Sequence, residues 1–176
     1  SLPMVQWGAK CPMTGEDFLL SAKRLLQAQD YALIEKLLEG HDGDAGEGNA
    51  TARAWIRFDR NFRNEIAALR AQRLQKDPQK AIRGEKESEP ALREIAQQAL
   101  KIPDLLEAQK LVDKTYWQFL DELAAGHYFD LEFLICYGLK LKILSRHQEY
   151  DSPKGEEAFK NIQAVELPVH WAGSGI

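Results

Sequence analysis

Cysteine is nearly missing from this sequence: Cys11 and Cys136 are the only two among 176 residues. Their wide separation matches neither a disulfide framework nor a zinc or redox spacing, so the chain is expected in a reducing compartment. Long apolar runs are missing too. The greasiest stretch, residues 129–144, is broken by Asp130, Glu132, Lys140 and Lys142, which excludes a membrane-spanning helix there. No signal-peptide pattern opens the chain. It begins at Ser1 rather than Met, and so reads as a trimmed form of something longer.

Chemical motifs are equally scarce. No histidine has a glutamate three places before it, which removes the Glu-x-x-His pairs of a carboxylate-bridged di-metal bundle. His41, His127, His147 and His170 all fall near predicted ends or loops and read as solvated surface residues. Gly43, Gly46 and Gly48 lack the spacing and the lysine of a phosphate loop, and there is no nucleophile elbow. Asp42-Gly43-Asp44 resembles the start of a calcium loop, but its turn glycine comes one place early and the twelfth position is Arg53. The sequon Asn49-Ala50-Thr51 reads as a chance match. Cys136 lies in the apolar stretch and is read as a small core residue rather than a nucleophile. Asp130 and Glu132 read as helix-end or ion-pairing acids. No catalytic residue, cofactor or metal is expected.

What the sequence does have is helical periodicity and an uneven charge. Net charge is −4, yet residues 51–87 hold ten Lys or Arg against five Asp or Glu. A basic segment is set in an acidic body, and the balance argues against a surface built wholly for nucleic acid or anionic lipid. The spacing predicts helices from Thr14, with Phe18, Ala22, Leu25 and Leu26 inside, and from Asp30 to a stop at Gly40, with Leu33, Ile34, Leu37 and Leu38 inside. Residues 41–50 read as a mobile loop. From Thr51 to about Lys76, Trp55, Phe58, Phe62, Ile66 and Leu69 recur every three or four places, placing Arg53, Arg57 and Arg60 on the far side with Arg63 and Arg70 flanking.

Ser88 and Pro90 signal the next helix, with Leu92, Ile95 and Leu100 inside. A long one follows from Pro103 and Asp104 to about Ala125, facing inward through Leu105, Ala108, Val112, Tyr116, Phe119 and Leu123. Residues 129–144 alternate as strands do, but their length without a turn favours a central buried helix. A last helix is predicted from Ser152-Pro153, carrying Ala158, Phe159 and Ile162. The expected architecture is an all-α bundle of about six or seven helices, two of them long. An extended lead-in supplies Met4, Val5 and Trp7 for packing, the single domain covers residues 1–163, and residues 164–176 form an irregular tail.

Three stretches carry a resemblance: Ser1-Leu2-Pro3; Trp55, Phe58, Arg60, Arg63-Asn64-Glu65 and Leu69-Arg70-Ala71; and Phe129-Asp130-Leu131-Glu132 with Tyr137, residues 139–144, Arg146, Gly155 and Phe159. Together they resemble an uncharacterised bacterial family whose genes accompany V/A-type ATPase operons. In that family a short apolar segment precedes the Ser-Leu-Pro. The last third is also similar to the C-terminal helices of the central-stalk C subunit of V/A-type ATPases, an all-α protein that seats the rotor ring. The resemblance implies a cytoplasmic accessory, stalk-like or assembly protein at the periphery of a membrane-bound ATPase, binding its protein subunits and catalysing nothing.

It assigns no site residues. From the charge pattern, the interaction surface is expected at Arg53, Arg57, Arg60, Arg63, Asn64 and Arg70, joined by Lys140 and Arg146. Internal pairing of these cations with the acidic remainder competes with docking. The alternatives are an acidic or nucleic-acid partner for the arginine helix and a small helical enzyme with an unrecognised site.

Overall fold

The computed structural model describes residues 2–40, 48–84, 87 and 89–150. Among them it has six α-helices and no strand: α1 (Gly15–Leu25), α2 (Ala28–Glu39), α3 (Ala50–Arg73), α4 (Pro90–Lys101), α5 (Leu105–Leu123) and α6 (Leu131–Tyr150), with a 3-10 turn at Pro78–Ala81. The predicted calcium-like start at Asp42, the helix from Ser152 and the tail lie outside the described residues, as do His41 and His170.

Local chemistry sets most boundaries. Thr14 caps α1, its Oγ1 accepting from the Asp17 amide at 3.0 Å while its hydroxyl donates to Asp17 Oδ2 at 2.7 Å. Asp104 accepts from the amides of Leu106 and Glu107 at the start of α5. Asn49 accepts from the Ala52 amide, so α3 begins at Ala50, inside the segment expected to be loop. α2 starts at Ala28, before Asp30, because the chain stays extended for only Leu26 and Gln27 between the two helices. Asp30 falls in its first turn, where a carboxylate meets the positive helix end. Gly40, at φ 84°, ends α2 in the left-handed conformation glycine adopts without strain. α3 stops at Arg73 rather than Lys76: Gln75 takes φ 55° and the Lys76 amide returns to the Ala71 carbonyl, a left-handed cap made without glycine.

α6 is the axis of the bundle, in contact with α1, α2, α3 and α5. Every residue from Ile135 to Leu141 is buried, which answers the strand-like alternation of its sequence: a helix enclosed on all sides shows no clean apolar stripe. Burying a Phe or Leu side chain contributes about 1.5–3 kcal/mol, and Phe18, Ile34, Phe62, Leu120, Ile135, Leu141 and Leu144 are all essentially fully buried here. The lead-in lies against this axis. Tyr137 donates to the Pro3 carbonyl at 2.8 Å, and Val5, Trp7 and Met13 pack on the core, whereas Met4 points out.

Three expectations about burial change. Leu25 is 84% exposed because α1 ends there and the chain turns extended at Leu26, which packs in its place. On α5 the buried residues include Trp117 and Leu120 as well as Tyr116, since α5 touches α3, α4 and α6 and needs a wider apolar arc than one stripe. The far side of α3 is not a free cationic face. After the 3-10 turn the chain runs back along it, Asn64 pairing with both the amide and the carbonyl of Arg83 and Asn61 donating to Glu89, so both asparagines are buried.

Gly138 sits where α1 crosses α6. A Cβ there meets Phe18 Cε1 at 2.7 Å and Leu38 Cδ1 at 3.5 Å. Gly138→Ala gains about 1 kcal/mol in helix propensity and forces Phe18 out of its seat, an overpacking cost of about 1–3 kcal/mol. The variant is expected to unfold at lower denaturant than the parent, and Gly138→Ala/Phe18→Leu to recover part of the loss. An increase in stability for the single variant refutes the close packing.

Candidate functional site

The eight cation-face residues were expected to share a surface, and their placements differ. Arg53 and Arg70 are exposed. Arg57 pairs with Glu87. Arg60 is half-buried beside Gly84, its Nε buried without a partner. Arg63 donates from Nε to Asp59 at 2.9 Å, and Asn64 is spent on Arg83. Lys140, 9% exposed, bonds Asp121 across the α5–α6 interface at 2.6 Å and lies over the Trp117 ring. Arg146 pairs with Asp113.

Asp113 is the centre of a polar seam that periodicity did not reveal. It has no exposed surface, yet accepts from Gln109 Nε2, Arg146 Nη2 and His147 Nε2, the last at 2.9 Å. His147 was read as a solvated residue; it is instead held between this carboxylate and the edge of Trp7, 5.0 Å away between ring centres. Three positions further along α5, the Tyr116 hydroxyl donates to Asp59 at 2.8 Å, beside Arg63. Burial, reinforced by Asp59, raises the Tyr116 pKa far above the ordinary phenol value. Lys142 donates to the Leu38 carbonyl, and its pKa is lowered by burial first and then by Arg146 and Arg63.

The seam joins α5 to α6. His147 and Asp113 have the makings of a dyad, but among the described residues no hydroxyl or thiol hydrogen-bonds to a histidine. Burial pushes the Cys136 thiol up to about 11, so it stays protonated and unreactive at neutral pH. Ligating atoms of His127, Asp130 and Glu132 lie within 4.8 Å of one another. They are already engaged: His127 Nδ1 meets Asp130 Oδ2 at 2.6 Å, Asp130 Oδ1 takes the Phe133 amide, and Glu132 accepts from Asn49. The positive end of α6 opposes a cation there. This trio closes the α5–α6 turn and ties it to α3; it also buries Asn49 to 9% exposure, closing the sequon to a glycan.

Two clefts flank α3 and α4. One of about 200 Å³ lies between Glu65, Leu69 and Gln72 of α3, Pro78 and Ile82 of the connector, and Arg93 of α4. The other, about 460 Å³, opens between the last turns of the two helices. Neither is lined by a histidine, cysteine, serine or threonine.

Fold and site together define an all-helical bundle whose interior ionic groups hold helices to one another. Residues 86–166, which span α4, α5 and α6, match the family model described as a protein of unknown function (DUF2764). No curated protein and no solved structure matches the chain significantly.

One outcome tests the seam and another the α5–α6 turn. Asp113→Ala leaves Arg146 and His147 without their acceptor. Because Arg146 is 35% exposed, the loss is expected near the lower end of the range for breaking a buried pair, about 3 kcal/mol in chemical denaturation. A loss below about 1 kcal/mol, the range of exposed pairs, means the seam does not hold the interface. At the α6 turn, the Asp130 hydrogen bond raises the His127 pKa, and the His127 hydrogen bond lowers that of Asp130. The histidine contribution is complete below its unfolded value near about 6.5 and is lost as pH rises through its raised folded value; the aspartate contribution is present above about 4 and lost as pH falls through its lowered one. The melting-temperature difference between the parent and His127→Ala is therefore largest between about pH 4 and 6.5. A difference flat with pH removes the ionic contribution.

Proposed function

We propose that the chain is a non-catalytic interaction protein, an accessory, stalk-like or assembly partner of a bacterial V/A-type ATPase acting through protein–protein contacts. The observation that carries the binding reading is how its side chains are divided. Buried Asp113, Tyr116 and Lys140 pair with groups on neighbouring helices, while other aromatic side chains face solvent: Phe129 is fully exposed and Tyr128 is 70% exposed. Both lie in the turn that His127 and Asp130 clamp, so the aromatic pair is presented on a fixed backbone. Rigid exposed aromatics are the side chains that most often anchor protein interfaces. The ATPase as partner is supported by the resemblance carried by the Ser1-Leu2-Pro3, Trp55 to Ala71 and Phe129 to Phe159 stretches.

Nucleic acid is the second reading, favoured by the exposed Arg53 and Arg70. It is opposed by the net charge of −4 and by the pairing of Arg57 and Arg63 with Glu87 and Asp59.

The test is affinity capture of the tagged chain from its own cell, with subunits identified by mass. V/A-type ATPase subunits are expected in the eluate, and Phe129→Ser, which removes no packed side chain, is expected to reduce their recovery about tenfold, the loss of one interface anchor. An eluate without ATPase subunits overturns the assignment of partner. Retention on nucleic acid that weakens steeply with salt favours the second reading.

A further inference from the structure

The groove between the last turns of α3 and α4 is formed by chain topology. The connector after α3 runs back along it, meeting Asn64 through Arg83 and Asn61 through Glu89, and α4 then runs beside α3 in the same direction. Both helices therefore end together, leaving a channel of about 460 Å³ lined by Leu69, Gln72, Arg73, Gln97, Leu100 and Lys101. Its lining contains two leucines, two cations, two amides and no acid. Among the described residues no ion pair engages Arg73 or Lys101, in contrast to Arg57, Arg63, Lys140 and Arg146. Leu74, the first residue past α3, is 65% exposed.

We infer that this groove is a docking site for an acidic amphipathic helix of a partner protein, its leucine-type side chains seated between Leu69 and Leu100 and its carboxylates on Arg73 and Lys101. Charge selects the sign of the partner: two cations with no ion pair among the described residues border an opening whose lining holds no carboxylate. The apolar floor selects its class. A helix laid in a groove presents apolar anchors at intervals of three and four residues, which suit a channel between two helices. A nucleic-acid strand needs aromatic platforms or a longer cationic track, and no aromatic side chain lines this groove. The two glutamines serve as hydrogen-bond partners at the rim whichever way the helix runs. The inference rests on the reading of the chain as a binding protein and is independent of whether that partner belongs to an ATPase.

The experiment uses the full chain and a fluorescent three-turn helical peptide with leucines at i, i+3, i+4 and i+7 and glutamates elsewhere. The comparison probes are the same peptide with lysines for glutamates, a scramble that spreads the leucines around the helix, and a short single-stranded oligonucleotide. The acidic amphipathic peptide is expected to bind tightest, to weaken as salt screens the rim, and to lose about tenfold or more in affinity with Arg73→Glu/Lys101→Glu. Leu100→Gln is expected to weaken the acidic peptide while leaving the scramble unchanged. Both variants alter the rim or a half-buried position, and circular dichroism checks that they fold. Equal binding of the acidic and basic peptides, indifference to the charge reversal, or oligonucleotide binding lost in the same double variant overturns the inference. Because no ATPase subunit is present, failure here is distinguishable from failure of the capture experiment.

Discussion

A carboxylate with no access to water must be supplied with donors by the protein, and Asp113 draws them from its own helix and from α6. That demand fixes the bundle axis in two ways. Arg146 and His147 are adjacent, so both reach one carboxylate only at one rotation of α6, and Lys140 must then face α5 to meet Asp121. The pairs Asp113–Arg146 and Asp121–Lys140 also fix the antiparallel register, since an offset of one turn separates both at once. An apolar interface alone tolerates such slips more easily than one holding charges that must be matched.

Given that rotation, other contacts around α6 follow from helical geometry. Gly138 turns toward α1, where Phe18 approaches closer than a side chain permits, and Tyr137 turns toward the lead-in and anchors it through Pro3. His147 carries the same constraint outward, because the ring fixed by Asp113 is the surface on which Trp7 packs, and Trp7 in turn meets Trp117. The lead-in is therefore ordered by side chains at several points along α6. α3 solves its own problem differently: two asparagines, not apolar residues, hold the returning connector, the pair at Asn64 imitating a backbone ladder with one side chain.

Much of this was legible in the sequence where the cause was local. Thr14, Asp104 and Gly40 act at helix ends because their chemistry works within three or four residues, and the apolar period of α3 located Phe58, Phe62 and Leu69 correctly. The illegible part was long-range. Nothing in the spacing says that a polar residue at the border of an apolar stripe will be enclosed, so Asp113 escaped notice and His147 was placed in solvent. The arginine stripe was legible as charge but not as structure. A helical projection shows which residues share an angle, whereas the residues covering that angle arrive from a connector whose path depends on the rest of the fold. Lys140 and Arg146 looked like extensions of a surface and became ties of an interior seam for the same reason.

The distribution of paired and unpaired cations then decides where binding is cheapest. A guanidinium already beside a carboxylate offers a second acid a partly neutralised charge and fewer free N–H groups, so the new contact contributes less than it does at an unpaired cation. Arg63 and Arg146 are in that position, and Arg57 shares Glu87. At the joint end of α3 and α4, Arg73 and Lys101 form no ion pair among the described residues, and they neutralise helix ends whose carbonyls carry partial negative charge. The inferred acidic partner would place its carboxylates on these cations and its apolar side chains on the leucines. The same partner laid along the middle of α3 meets Arg57 already paired with Glu87 and Arg63 already paired with Asp59. That difference in pairing is why the inferred docking site lies at the end of the helix pair and not along the middle of the stripe.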